Sequence, residues 1–141
     1  MNKKMNNKGF SLVELIIVIA IMAVLVGVLA PQFIKYVEKS KESKDITNLD
    51  SCVEAVKVYY ADKDWPASGV TVSAAKGANF SSNDSNSALS DAGATNSKVT
   101  GDWSGGGLSA TVASDGKVTY SGSAKYYQAD TTDATKGFVA K

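Results

Sequence analysis

The hydrophobic residues of the chain follow two patterns, one continuous and one periodic. From Phe10 to Ala30 the sequence is almost entirely Leu, Ile, Val, Ala, Met and Gly, and Glu14 is its one ionisable residue. An apolar run of about 20 residues is long enough to cross a bilayer as a helix. The continuous pattern therefore predicts a transmembrane helix over residues 10–30.

The periodic pattern follows it and has the spacing of an α-helix. Apolar residues recur at intervals of three and four, at Ile46, Leu49, Val53, Val56 and Tyr60. Such a stripe predicts an amphipathic continuation of the helix over residues 31–61, packed on the rest of the chain. The mixed charges of Lys35–Asp45 predict a segment that is solvated in a monomer and that could contact neighbouring copies in an assembly. Trp65-Pro66 marks the end of the helix.

Pro31 lies where the two patterns meet. Its ring removes one backbone N–H and crowds the carbonyl four residues earlier. We expect a kink or a local opening of the helix at this point, and not its end.

The second half of the chain changes to strand and loop patterns. Residues 62–97 are rich in Ser, Ala, Asn, Asp and Gly, which predicts a connecting loop region with one short helix near Ser85–Ala92. Residues 98–141 predict an antiparallel sheet of three or four strands and a C-terminal segment. Its strands are expected at Lys98–Thr100, Leu108–Val112, Val118–Ser121 and Lys125–Ala129, with a hairpin turn at Ser114–Gly116. The fold class is therefore α+β.

Composition limits the chemistry. The 15 basic residues are all Lys and there is no His, so the commonest general base is missing and no nucleophile–base pair is apparent. Gly105–Gly107 lacks the spacing and the Lys of a phosphate loop. These features argue against an enzyme and imply no cofactor, and the net charge of +1 does not directly imply a nucleic-acid partner.

Two further features are weak candidates for chemistry. Asp130 and Asp133 could offer oxygen ligands to calcium, although two loop carboxylates are usually just solvated. Cys52 is the one cysteine, so an internal disulfide is impossible and we interpret it as a small residue of the helix face.

The N-terminus combines a basic segment with an apolar run that contains the carboxylate of Glu14. Residues 1–9 read MNKKMNNKG and resemble the basic region of a signal peptide. The apolar run is longer than a signal core, and no small-residue cleavage site follows it, so we expect the run to be retained. A carboxylate inside it costs roughly 2.5–3.5 kcal/mol near a bilayer centre, and Glu14 therefore needs a partner.

The residues Lys8-Gly9-Phe10-Ser11-Leu12-Val13-Glu14 resemble the processing site of type IV prepilins and pseudopilins. In that family a short leader is cleaved after the Gly, and the new N-terminal Phe is methylated. Counted from Phe10, Glu14 is fifth and Pro31 is twenty-second, as the family pattern requires. Ser11 replaces the commoner Thr, which is a mild departure.

The resemblance implies a structural protein. Residues 1–9 would be the leader, with cleavage between Gly9 and Phe10 and N-methylation of Phe10. Glu14 would pair with the terminal amine of a neighbouring copy, and Pro31 would allow the helix to extend within a filament. The implied fold is a long N-terminal helix packed on a small C-terminal antiparallel sheet.

The implied partners are further copies of the chain, a prepilin peptidase with methyltransferase activity, an assembly ATPase and a membrane platform protein. The chain would cross the cytoplasmic membrane once before assembly and then become part of an extracellular pilus.

Two other functions stay open from the sequence. One is a pseudopilin of a type II secretion or DNA-uptake system. The other is a monomeric membrane-anchored binding module, which the helix beyond Ala30 disfavours because an anchor needs no such extension.

Overall fold

The computed structural model of the chain describes Gly9, residues 11–84 and residues 87–141. These residues form two compact units, one ending at Tyr36 and one comprising Val37–Lys141. The architecture is α+β, as predicted, and each unit is described by itself.

The first element is the helix α1, Leu12–Tyr59, which runs through both sequence patterns. Helix-forming residues dominate it from Gln32 onwards, whereas its first half is rich in Val and Ile. The helix continues through Pro31 without a break in helical structure. Its C-terminal end lies within two residues of the predicted one, where the backbone turns before Trp65-Pro66.

Four antiparallel strands form the main sheet of the second unit, in the order β2-β1-β3-β4. Their bounds are Val70–Ala74 for β1, Ser81–Ser82 for β2, Leu108–Val112 for β3 and Val118–Gly122 for β4. The predicted strand at 108–112 and its partner at 118–121 are confirmed. So is the turn between them, in which Gly116 has a φ of +83° that Gly adopts without strain.

The prediction of a loop region over residues 62–97 is wrong at β1 and β2. Strand β1 pairs along its whole length with β3, from Val70 opposite Val112 to Ala74 opposite Leu108. Val70, Thr71 and Val72 are good strand formers, but β1 is short and is surrounded by Ser, Ala and Gly, which favour a loop. Its partner β3 lies far along the chain, so no local signal indicates the pairing. The strand predicted at Lys98–Thr100 is also absent, because Lys98 forms only a single bridge with Asn79.

A second ladder of two strands completes the β-structure, with β5 at Tyr127–Ala129 and β6 at Phe138–Ala140. The predicted strand over Lys125–Ala129 is confirmed in its last three residues, whereas β6 was not predicted. The short helix α2, Ser87–Asp91, lies inside the predicted range 85–92, of which residues 85 and 86 are outside the described part.

The core of the second unit lies between the later turns of α1 and the main sheet. The predicted stripe is confirmed, because Leu49, Val53, Val56 and Tyr60 are buried and Ile46 packs against them. The sheet contributes alternate residues of β1 and β3, including Val70, Val72, Leu108, Ala110 and Val112. Phe80 and Trp103 are the largest aromatic side chains in this core.

The segment predicted to be solvated, Lys35–Asp45, contains two buried carboxylates instead. Glu42 is 1% exposed and Asp45 is fully buried. With Glu38 they form a carboxylate row (Glu38, Glu42 and Asp45) at spacings of four and three. The row continues the face that Leu49, Val53 and Val56 occupy further along α1. The helical spacing alone could have indicated burial, but the charges suggested solvent.

Loops of the second unit supply hydrogen-bond donors to the two buried carboxylates of this row. Asp45 accepts bonds from the backbone N–H of Thr100 at 3.0 Å and of Gly101 at 2.6 Å, and from Trp103 Nε1 at 2.9 Å. Glu42 accepts bonds from the backbone N–H of Lys125 at 3.2 Å and of Tyr126 at 2.8 Å. Buried carboxylates are tolerated only with such partners.

Candidate assembly site

The apolar half of α1, from Leu12 to Tyr36, is exposed on every side. Its large hydrophobic side chains are between 48% and 73% exposed, with Val18 and Leu12 at the two limits. They occupy nearly every position, so they cover the whole circumference of the helix and not one stripe. A helix that is hydrophobic all round is buried in its functional state, in a membrane or among other helices.

Hydropathy agrees with this geometry. The most apolar window of α1 has a mean hydropathy of 3.1, and none of that window is buried by the rest of the chain. The helix is long and apolar enough to cross a membrane.

Glu14 lies at the start of this surface and closes the first turn of the helix. The backbone N–H of Glu14 donates to Ser11 Oγ at 3.3 Å, and the backbone N–H of Ser11 donates to Glu14 Oε2 at 3.4 Å. This reciprocal arrangement is a capping box, which satisfies backbone donors that have no partner inside a helix. Ser11 therefore keeps the capping hydroxyl that the commoner Thr would also supply. Glu14 is exposed, so its carboxylate is accessible to a cation from outside the unit.

Pro31 lies inside the helix, between the apolar run and Phe33. Because Pro31 has no N–H, it cannot donate to the carbonyl of Gly27. Gly27 has no side chain to cover that carbonyl, and a Cβ placed there would meet nothing within 4 Å. The backbone here therefore lacks one hydrogen bond of the helix, and opening of the helix at Pro31 stays a prediction.

The proposed cleavage site is partly described. Gly9 is exposed, and a Cβ placed on it would meet nothing within 4 Å. Phe10 and residues 1–8, which include Lys3, Lys4 and Lys8, lie outside the described residues. Cleavage at Gly9-Phe10 and methylation of Phe10 therefore stay predictions.

The two weak metal candidates, Asp130 and Asp133, lie in the second unit and serve a local purpose. Asp130 Oδ1 accepts hydrogen bonds from the N–H and hydroxyl groups of Thr132, and Asp133 Oδ1 accepts the same pair from Thr135. These hydrogen bonds hold the pKa of both carboxyls below the ordinary value. Within the described residues, no group of three or more potential ligands surrounds either carboxylate.

Cys52 is buried in the helix face, as interpreted from the sequence. Burial raises the pKa of its thiol to about 11, so the thiolate is scarce at neutral pH. The structure therefore gives Cys52 a packing role.

The N-terminal region matches a known family description. Residues 4–30 match the family described as the prokaryotic N-terminal methylation motif. This match covers the predicted cleavage site, Glu14 and the whole apolar run.

Several relatives are pilus proteins. The type IV major pilin protein PilA of Myxococcus xanthus is 43% identical over 58 residues, which are 41% of this chain and 26% of that protein. The fimbrial protein EcpC of Eikenella corrodens is 42% identical over 65 residues, covering 45% of this chain and 42% of that protein. The type IV narrow pilus major component PilA5 of Thermus thermophilus is 35% identical over 66 residues, covering 47% of this chain and 53% of that protein.

The chain thus spans between about a quarter and a half of the length of these relatives. No solved structure matches it. The methylation motif, the similarity to these pilus proteins and the long apolar helix packed on a small antiparallel sheet are thus features that this chain shares with type IV pilins.

Proposed function

We propose that this chain is the structural subunit of a type IV pilus. It is cleaved between Gly9 and Phe10, methylated at Phe10, held in the cytoplasmic membrane by its apolar helix, and then assembled into an extracellular filament. The observation that carries the proposal is the all-round exposure of the apolar surface from Leu12 to Tyr36. Burying such a surface is worth roughly 25 cal/mol per Å², so the surface needs a membrane or other copies around it.

Glu14 directs the assembly in this proposal. After cleavage, the amine of Phe10 would carry a positive charge near the start of the apolar helix. The accessible carboxylate of Glu14 in one copy would pair with that amine in another, so that neither charge is buried without a partner. Such a pair also sets the register between neighbouring helices. The peptidase, the assembly ATPase and the platform protein are the partners that this route requires.

The relatives support a pilus over a pseudopilus. Those named above are described as a major pilin, a fimbrial protein and a pilus component. The continuation of α1 beyond Ala30 also favours an assembling subunit over a monomeric binding module, because an anchor alone needs no such extension.

The test is expression of the full chain in a cell with a type IV assembly system, followed by imaging and mass analysis of sheared filaments. We expect long surface fibres whose dominant chain begins at methylated Phe10. Monomers that retain Met1, with no fibres, would contradict the proposal.

A pair of matched variants tests the role of Glu14. We expect Glu14→Gln to be cleaved normally but to give at least about tenfold fewer filaments, because the buried amine loses its counter-charge. Glu54→Gln is the control, since Glu54 is exposed on the same helix and its ion pair with Lys57 lies within that helix. Normal filament yield from Glu14→Gln would rule out the pairing.

A further inference from the structure

The apolar surface of the first unit ends in four residues of a different kind. Phe33, Ile34 and Tyr36 are 69%, 57% and 66% exposed, and Lys35 between them is exposed as well. We call these four residues the interfacial belt. They come after Pro31 and Gln32, beyond the continuous apolar run.

The belt surrounds the helix. Successive residues of an α-helix are about 100° apart, so four consecutive residues point in four directions around the axis. A single flat partner could cover one or two of them only. An environment that surrounds the helix covers all four.

The chemistry of the belt suits the boundary between lipid and water. Tyr and Trp are enriched at that boundary because they have an apolar body and a polar tip, and Tyr36 is such a residue. Phe33 and Ile34 are wholly apolar and suit the lipid side of the boundary. Lys places its stem in the apolar layer and its ammonium group among the phosphates. The hydrocarbon core itself would not accommodate Lys35.

The spacing from the belt to Glu14 matches a bilayer. Tyr36 is 22 residues beyond Glu14 in one continuous helix, which is about 33 Å at 1.5 Å per residue. The hydrocarbon core is about 30 Å thick, and a tilt of about 20° would shorten the span to nearly that value. Leu25 lies midway between the two residues.

From these observations we propose that the interfacial belt is a lipid-headgroup anchor that sets the depth of the chain in the bilayer before assembly. The anchor holds Glu14 at the opposite interface, where its carboxylate stays hydrated and available for pairing. This inference rests on the membrane stage of the proposed function. It adds that the belt fixes the end of the membrane span opposite Glu14.

The test measures the depth of single Trp reporters in the full chain, reconstituted in phosphatidylcholine vesicles. Phe33→Trp and Tyr36→Trp report on the belt, and Leu25→Trp reports on the middle of the span. Spin-labelled lipids carry the quencher either near the headgroup or near the end of the acyl chain. The signal of the native Trp65 and Trp103 is subtracted using the unsubstituted chain.

We expect the two belt reporters to be quenched best by the shallow label, about 15 Å from the bilayer centre. The Leu25 reporter should be quenched best by the deep label. In addition, Phe33→Ser combined with Tyr36→Ser should shift the Leu25 reporter by at least about 3 Å, the rise of two residues. Val58→Ser combined with Val139→Ser is the control and should cause no shift, because both residues are exposed in the second unit.

Three results would contradict the proposal that the belt is an anchor. Belt reporters quenched by the deep label would place them in the hydrocarbon core. Belt reporters quenched by neither label, with the chain recovered as cross-linked dimers, would assign the belt to a second copy. A Leu25 reporter that neither label quenches would contradict the membrane stage as well as the anchor. If only the belt reporters fail and the Leu25 reporter is quenched by the deep label, the anchor is contradicted and the membrane stage is not.

Discussion

Asp45 is a fully buried carboxylate on α1. It accepts hydrogen bonds from Thr100, Gly101 and Trp103. The donors satisfy the carboxylate only because the loop passes directly over the helix.

Gly101 makes this close approach possible. A Cβ at that position would lie 2.7 Å from Asp45 Oδ2 and 2.8 Å from Glu42 Cγ, which is closer than real side chains come. The loop and the carboxylate row therefore fit together only when residue 101 has no side chain.

Removing the Asp45 carboxylate should be costly. We expect Asp45→Ala to lower the free energy of unfolding by about 3–5 kcal/mol, because it leaves several buried N–H donors without an acceptor. Chemical unfolding of the full chain in mild detergent, followed by the fluorescence of Trp103, measures the change. Glu54→Ala on the exposed face is the control, with an expected loss of less than about 1 kcal/mol. Equal losses from the two variants would contradict the role of Asp45.

Among the elements, the carboxylate row connects α1 to the C-terminal ladder. Glu42 binds the backbone of Lys125 and Tyr126, immediately before β5. Glu38 accepts hydrogen bonds from Lys125 Nζ at 3.1 Å and from the Tyr126 hydroxyl at 3.2 Å. Because Glu38 and Lys125 are both well exposed, their ion pair should contribute little, and Glu42 should hold most of this contact.

We therefore expect Glu42→Ala to loosen β5 and β6 selectively. Hydrogen–deuterium exchange should become faster in Tyr127–Ala129 and Phe138–Ala140, while β3 keeps its protection because its own contacts are unchanged. Lys44→Ala, two residues further along α1 on its exposed side, is the matched control. Unchanged exchange in β5 and β6, or equally faster exchange in β3, would show that Glu42 is not the specific connection.

The elements that could be predicted from the sequence are those with local signals. The hairpin of β3 and β4 closes over a short turn, so its alternation and its Asp-Gly pair are both visible in one short stretch. Strand β1 is harder to recognise, because its three β-branched residues lie within a Ser-, Ala- and Gly-rich stretch and its partner β3 is more than thirty residues away. Strand β6 similarly depends on β5.

Across the molecule, the buried and the exposed hydrophobic residues lie in different segments of the chain. All the buried hydrophobic residues of the described core lie in Val37–Lys141. The exposed large hydrophobic residues lie in Leu12–Tyr36, apart from Val58 and Val139. The first unit therefore needs an external partner, whereas the second unit contains its own core.

We expect the chain beginning at Val37 to fold and to stay monomeric without detergent. It keeps the whole core and the carboxylate row, and Glu38 near the new helix start interacts favourably with the helix dipole. Sedimentation and circular dichroism would check this, with the full chain as the control that requires detergent. Aggregation or loss of β-structure in the shortened chain would show that the apolar half of α1 is needed for folding.

Features that depend on neighbouring residues, or on the period of a helix or strand, can be predicted from the sequence alone. They are the apolar run with Glu14 inside it, the motif around Gly9-Phe10, the stripe from Ile46 to Tyr60, and the β3–β4 hairpin. The burial of Glu42 and Asp45 and the pairing of β1 follow instead from the folded chain, because each depends on backbone groups from distant segments that complete its hydrogen bonds.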